Sequence, residues 1–162
     1  MKSDKSEIFQ IEEGQGLEVL KFGFSRDEIE VILGIPSEIK QYSYSDDKAN
    51  LTETWYYNDL GLSLNFDEED NWRLGTIAVE SKLYRFKDFI PIGLSKDELR
   101  YKLGVVNIND LQYENWNSKE KPTHELLFSG SLGINFWFDE DCVSQIQWGP
   151  DFIDDNTINW PS

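Results

Sequence analysis

Hydrophobic and polar residues alternate most cleanly between Leu60 and Phe66. Leu60, Leu62, Leu64 and Phe66 are apolar, while Gly61, Ser63 and Asn65 between them are small or polar. Period-two alternation predicts a half-buried strand. The motif Leu60-Gly61-Leu62 through Phe66-Asp67-Glu68 is answered by Leu132-Gly133-Ile134 through Phe138-Asp139-Glu140. Other runs read as strands too. Ile39–Ser45 is tyrosine-rich. Thr52–Tyr57 places Trp55 and Tyr57 on one face, Thr54 and Tyr56 on the other. Trp72–Glu80 turns Ile77 and Val79 inward. Glu125–Phe128 and Val143–Trp148 follow, and Leu17–Phe22 is a short candidate near the start. Asn58-Asp59 reads as a tight hairpin turn and Asp67–Asn71 as a longer one.

The pattern changes period in two places. Phe22-Gly23-Phe24-Ser25-Arg26-Asp27-Glu28-Ile29 through Leu33-Gly34 recurs, seventy residues later, as Ile92-Gly93-Leu94-Ser95-Lys96-Asp97-Glu98-Leu99 through Leu103-Gly104. Each copy predicts a short helix. Ser25 and Ser95 are N-caps, and Glu28 and Glu98 complete capping boxes. Phe24 with Ile29, and Leu94 with Leu99, sit where a hydrophobic staple closes. Gly34 and Gly104 stand where a left-handed C-cap belongs. Helices this short do not persist alone. Their apolar positions, Ile29, Ile32 and Leu33, then Leu99 and Leu103, therefore need a sheet to lie on.

The repeat implies an α+β fold. Two tandem units, each a helix followed by an antiparallel meander, would join into one curved sheet of up to eight strands with both helices on one face. The first unit, with its N-terminal lead-in, spans residues 1–85. The second, with an acidic C-terminal tail, spans 86–162. Lys82–Ile90 carries Leu83, Tyr84, Phe86 and Phe89 and is expected to pack rather than swing. A long polar loop is expected through Asn117–Lys121. Phe152, Ile153 and Trp160 are candidate anchors for the tail.

Charge sharpens this picture. The net charge is −16, with 31 acidic against 15 basic residues. Both halves are acidic, the first more so. Ordinary nucleic-acid binding needs Lys and Arg to neutralise phosphates and is excluded on this ground. A basic partner is favoured by electrostatic steering, although acidity also serves solubility alone. The hydrophobic fraction of 39% and aromatic fraction of 14% suffice for a core. No apolar run approaches the ~20 residues of a membrane helix. The N-terminal residues lack an apolar signal region, and the single Cys142 precludes an internal disulfide. A cytoplasmic monomer without membrane contact is the expectation.

Catalytic chemistry is not prominent. His124, the sole histidine, follows a lysine-proline loop and reads as a loop residue. Cys142 sits among acids, which oppose a thiolate, and reads as a turn or strand-start residue. No Gly-x-Ser-x-Gly elbow occurs, and Gly14-Gln15-Gly16 lacks the rest of a phosphate loop. Asp67–Asn71 alternates oxygen ligands but lacks the glycine and distant glutamate of a calcium loop. No catalytic, cofactor or metal residues are assigned. Surface remains. Alternation leaves Tyr56, Ser63, Asn65, Glu125, Leu127, Asn135, Trp137, Gln145 and Gln147 on the helix-free face. Trp137, a large aromatic beside Asn135, is the first candidate for a partner anchor. Tyr56, Asn65 and the acidic turn Glu68, Glu69 and Asp70 complete the candidate partner-binding set. A neighbouring loop or the tail covering Trp137 is the alternative.

The helix with its flanking Gly-x-Ser and Leu-Gly, followed by strands ending Leu-Gly-Leu through Phe-Asp-Glu, resembles the tandem-repeat fold of the β-lactamase inhibitor protein over about residues 22–148. A single-repeat relative is the small lipoprotein of the outer-membrane β-barrel assembly machinery. The stretch from Gly14-Gln15-Gly16-Leu17-Glu18-Val19-Leu20-Lys21 to Leu33-Gly34-Ile35-Pro36-Ser37 also resembles bacterial immunity proteins encoded beside polymorphic toxins. The inhibitor family is disulfide-bonded and the lipoprotein family carries a lipobox cysteine, and this sequence has neither. The resemblance thus implies a non-enzymatic immunity protein that neutralises a basic toxin domain, a nuclease being expected. A small-ligand or enzymatic site in the cleft between the repeats, or a scaffold with no dedicated partner, are the alternatives.

Overall fold

A computed structural model describes residues 9–43 and 50–161. The expected N-terminal lead-in before Phe9, and Tyr44 and Ser45 of the tyrosine-rich run, lie outside these residues.

The fold is α+β and mostly sheet. In chain order it contains β1 (Gln10–Glu12), β2 (Gly16–Leu17), α1 (Arg26–Leu33), β3 (Glu38–Ser43), β4 (Leu51–Tyr57), β5 (Leu62–Asp67), β6 (Arg73–Val79) and β7 (Arg85–Phe86). Then come α2 (Lys96–Val105), β8 (Leu111–Asn115), β9 (Glu125–Ser129), β10 (Ile134–Asp139), β11 (Cys142–Trp148), β12 (Asp151–Asp154) and β13 (Thr157–Asn159). The principal sheet has eight strands in the order β3-β4-β5-β6-β11-β10-β9-β8. Its two halves meet where β6 and β11 pair antiparallel, with Ile146 opposite Val79 and Trp148 opposite Ile77.

Local sequence sets both helix starts. Ser25 Oγ accepts from the Glu28 amide at 3.1 Å, while the Glu28 carboxylate accepts from the Ser25 amide at 2.9 Å. Ser95 and Glu98 repeat this exchange at 3.2 and 2.9 Å. The helix ends differ from expectation. Gly34 caps α1 with φ 82° and ψ −166°, outside the left-handed helical region. Gly104 lies inside α2, which runs one residue further to Val105 and is capped by Val106. Packing also departs from the predicted stripe. Ile29, Leu99 and Leu103 are fully buried, but Leu33 is only partly so and Ile32 is 40% exposed.

Strand alternation holds where the sequence shows it best. Leu62, Leu64 and Phe66 are buried, as are Ile134, Phe136 and Phe138. They join α1 and α2 side chains in one core cluster. Leu60 instead belongs to a 3₁₀ turn, Asn58–Leu60, closed by Gly61 in the left-handed region. The bridge packs through Tyr84, Phe86 and Phe89, whereas Leu83 is 48% exposed. β7 within it pairs in parallel with β1, Ile11 opposite Phe86. β8 forms a sheet edge ahead of the polar loop. The tail folds into the β12–β13 hairpin. Of its three candidate anchors, Trp160 alone packs against the core; Phe152 and Ile153 are exposed. No helix among the described residues is long and apolar enough to cross a membrane.

Candidate functional site

Directly opposed residues of an antiparallel pair share a face. The registers therefore decide which side chains lie opposite the core. Tyr56 opposes Ser63 and Thr54 opposes Asn65. Ser63 opposes Ala78 and Asn65 opposes Thr76. Across the β6–β11 join, Ala78 opposes Gln147. Gln147 opposes Asn135, and Gln145 opposes Trp137. These side chains form a continuous band on the outer face of the sheet. Tyr56, Asn65, Asn135 and Trp137 all stand on it.

Two expected members do not. Glu125 opposes Phe138, and Leu127 opposes Phe136, so both face the core side. Leu127 is fully buried. Glu125 pairs with Lys96 of α2 at 2.7 Å and accepts from the Tyr113 hydroxyl at 2.6 Å. Hydrogen bonding to Lys96 holds the Glu125 carboxyl below the usual range. Its partner Lys96, which also meets Asp141, is pushed up to about 12, chiefly by the hydrogen bond to Glu125. Leu126 and Phe128 take the outer positions instead, opposite Trp137 and Asn135. With apolar residues at 126, 127 and 128, alternation within β9 alone could not choose the face.

Trp137 is half-buried at the centre of a ring cluster. His124 stacks on it, with centroids 4.8 Å apart and planes 21° apart. Trp116 meets it edge-on at 5.3 Å and 76°. Trp137 Nε1 donates to Gln147 Oε1 at 3.2 Å. The loop that carries His124 is tied back to the β10–β11 turn. There Thr123 Oγ1 donates to Asp139 at 2.5 Å and accepts from the Glu140 amide at 2.9 Å. Trp116 remains 49% exposed. Its only sequence signal was a tryptophan in a polar stretch. Part of the covering-loop alternative is therefore realised: His124 and Trp116 flank Trp137, but the cluster still reaches solvent.

The other half of the band lines an open pocket of about 330 Å³. Tyr56, Ser63, Asn65, Glu80, Gln145 and Gln147 are among its walls. Gln145 Nε2 donates to Glu80 at 3.1 Å, and Thr54 Oγ1 donates to Asn65 at 2.7 Å. Lys40 Nζ lies 5.6 Å from the centroid of the Tyr56 ring.

Glu68, Glu69 and Asp70 form a 3₁₀ turn between β5 and β6, away from the Trp137 cluster. Glu68 accepts from the Leu51 amide at 3.3 Å. Glu69 is exposed. With Asp67, Asp155 and Phe152, Glu69 and Asp70 edge a groove of about 770 Å³. Burial, then repulsion from Asp67 and Glu69, raises the Asp70 pKa, and Arg73 offsets part of this. The acids thus lie beside the outer face, while its middle carries amides, hydroxyls and rings.

No protein-family model and no curated protein matches the sequence. Among solved structures, the chain is similar to an extracellular protein containing a SCP domain from Bacillus anthracis. The identity is 14% and the TM-score 0.49, over 80% of this chain and 44% of that one. This chain therefore spans less than half the length of that protein.

Proposed function

We propose that this chain is a non-enzymatic inhibitor of the immunity-protein type, which holds a basic toxin domain, a nuclease by expectation, against the outer face of its sheet. The observation that carries the reading is Trp137. It is a large, half-buried ring at an outward strand position, clustered with His124 and the exposed Trp116. Aromatic anchors of this kind dominate protein interfaces. The acidic turn at Glu68–Asp70 stands to one side, where charge speeds encounter without being desolvated.

The reading includes an architecture of two tandem helix-plus-meander units with both helices on one face. Matching capping boxes and the β6–β11 join at the centre of the strand order support it. A cytoplasmic monomer remains part of the same reading.

The test is to mix the chain with the basic C-terminal domain of a toxin encoded beside its gene. Tight complex formation that abolishes the toxin's activity supports the proposal. A neighbouring gene set with no toxin, or a toxin domain that ignores the chain, overturns it.

A further inference from the structure

The pocket beside Trp137 has chemistry of its own. Among the described residues that line it, Glu80 alone is charged. The rest of the wall is amide, hydroxyl, tyrosine ring and a little aliphatic surface. Among the described residues no Lys or Arg lines it, and the cation placed against its wall, Lys40, stands over the Tyr56 ring. A compact ammonium would leave most of the polar wall without a partner. A planar guanidinium suits it better. It presents five donors in a fixed fork and stacks on aromatic faces.

The lining supplies acceptors for that fork. Glu80 stands at the rim, exposed, and its Oε2 is held by Gln145 Nε2 at 3.1 Å. That bond fixes the carboxylate while leaving Oε1 open. The Tyr56 and Ser63 hydroxyls and the Gln145 carbonyl supply neutral acceptors, and Ala78 gives an apolar floor for a methylene stem. The Tyr56 ring already accepts a cation on the sheet, since Lys40 lies 5.6 Å from its centroid. Gln147 connects this pocket to the anchor, because it lines the wall and its Oε1 also accepts from Trp137 Nε1. One partner could therefore fill both. Arginine is enriched among the residues that dominate interfaces.

We infer that this pocket is an arginine seat: a partner arginine lays its stem over Ala78 and Tyr56 and sets its guanidinium on Glu80. This rests on the outer-face reading above and adds the identity of one contact. It is independent of whether the partner is a toxin.

The probe is N-acetyl-arginine amide, added to the full chain while the side-chain amide signals of Gln145, Gln147 and Asn65 are followed by NMR. The expected result is a saturable shift of these signals with the arginine probe. N-acetyl-lysine amide should bind more weakly. Glu80→Gln should weaken the arginine effect by about tenfold or more, the loss of one charge-assisted contact. Tyr101→Ala, at an exposed position on α2, should leave it unchanged. Neutral disaccharides and inorganic phosphate complete the set. A saturable shift with either of these and not with arginine overturns the inference, as does an arginine response indifferent to Glu80→Gln. The two proposals fail separately. A toxin domain that binds wild type and Glu80→Gln equally well sinks the seat and keeps the inhibitor. An arginine probe that binds a chain no toxin domain recognises keeps the seat and sinks the inhibitor.

Discussion

Gly23 and Gly93 hold the same backbone geometry at two distant points of the chain. Both have φ 96°. Gly23 donates to the Leu74 carbonyl at 2.9 Å, and Gly93 donates to the Val143 carbonyl at 2.9 Å. Each contact is returned one residue on: Leu74 donates to Phe24 at 2.8 Å and Val143 to Leu94 at 2.9 Å. Each glycine thus clips the segment before a helix onto β6 or β11, the two strands that join the halves of the sheet.

Side chains resist that φ, so both glycines are sensitive positions. Gly23→Ala and Gly93→Ala should each cost about 1–2 kcal/mol from backbone strain. Gly23→Ala should cost more, because its Cβ would meet the Trp160 ring at 3.1 Å, while at Gly93 the neighbour is the flexible end of Lys82 at 3.0 Å. Urea unfolding of the two variants measures the difference. Equal costs would mean that Trp160 is not packed against Gly23.

The helix caps and the core leucines separate in the same assay. Ser25→Ala and Ser95→Ala should each cost about 1 kcal/mol by losing the cap. Leu103→Ala should cost about 2–5 kcal/mol by opening a cavity. Leu33→Ala should cost clearly less, because Leu33 is only partly buried. Equal losses at Leu33 and Leu103 would contradict their unequal burial.

Asp110 ties the α2–β8 connection to the β9–β10 turn. Its carboxylate accepts from the Ser131 amide at 2.9 Å and from Ser129 Oγ at 2.8 Å. Those bonds, the Ser131 amide first, lower its pKa to about 2. A carboxyl depressed in the fold stabilises it above the unfolded pKa and loses that contribution as pH falls toward the folded value. Asp110→Asn should therefore destabilise the protein at neutral pH, with the gap to wild type closing through the acid range. Stability measured against pH checks this. A gap that stays constant into acid would remove Asp110 from the account.

Asp70 has the opposite sign. Its pKa is raised, first by burial and then by Asp67 and Glu69. The ionised form therefore burdens the fold above that pKa. Asp70→Asn should stabilise the protein at neutral pH, and the gain should vanish as pH falls through the carboxylate range. Thermal melts across pH measure it. Destabilisation at neutral pH would show that the carboxylate makes a contact worth more than its burial.

On the proposed interface, charge and ring should act on different rates. Neutralising Glu68, Glu69 and Asp70 together should slow association with a basic partner and flatten its salt dependence, leaving dissociation nearly unchanged. Trp137→Ala should speed dissociation by the equivalent of about 2 kcal/mol or more, without altering the salt slope. Stopped-flow kinetics reads both. An unchanged dissociation rate in a folded Trp137→Ala protein would shift the site from the sheet face to the loops.

The sequence by itself determined what is local. Ser25 with Glu28, and Ser95 with Glu98, place both helix starts, because a capping box closes within four residues. Leu62-Leu64-Phe66 and Ile134-Phe136-Phe138 show which face of their strands is buried, because side chains alternate along any strand. Trp137 and Asn135 were legible as outward positions for the same reason. Tertiary structure decided what depends on a neighbour. Leu126, Leu127 and Phe128 are all apolar, so only the pairing with β10 turned Leu127 inward and gave Glu125 to Lys96. β8, Leu-Gln-Tyr-Glu-Asn, alternates only through Leu111 and Tyr113 and is mostly exposed, and it is a strand because β9 offers it a backbone to pair with. His124 reached Trp137 through a loop held by Thr123 and Asp139, a contact between residues 13 apart in sequence that no local pattern encodes. Capping and alternation are short-range. Register, edge pairing and ring stacking are settled only when distant segments compete for the same surface.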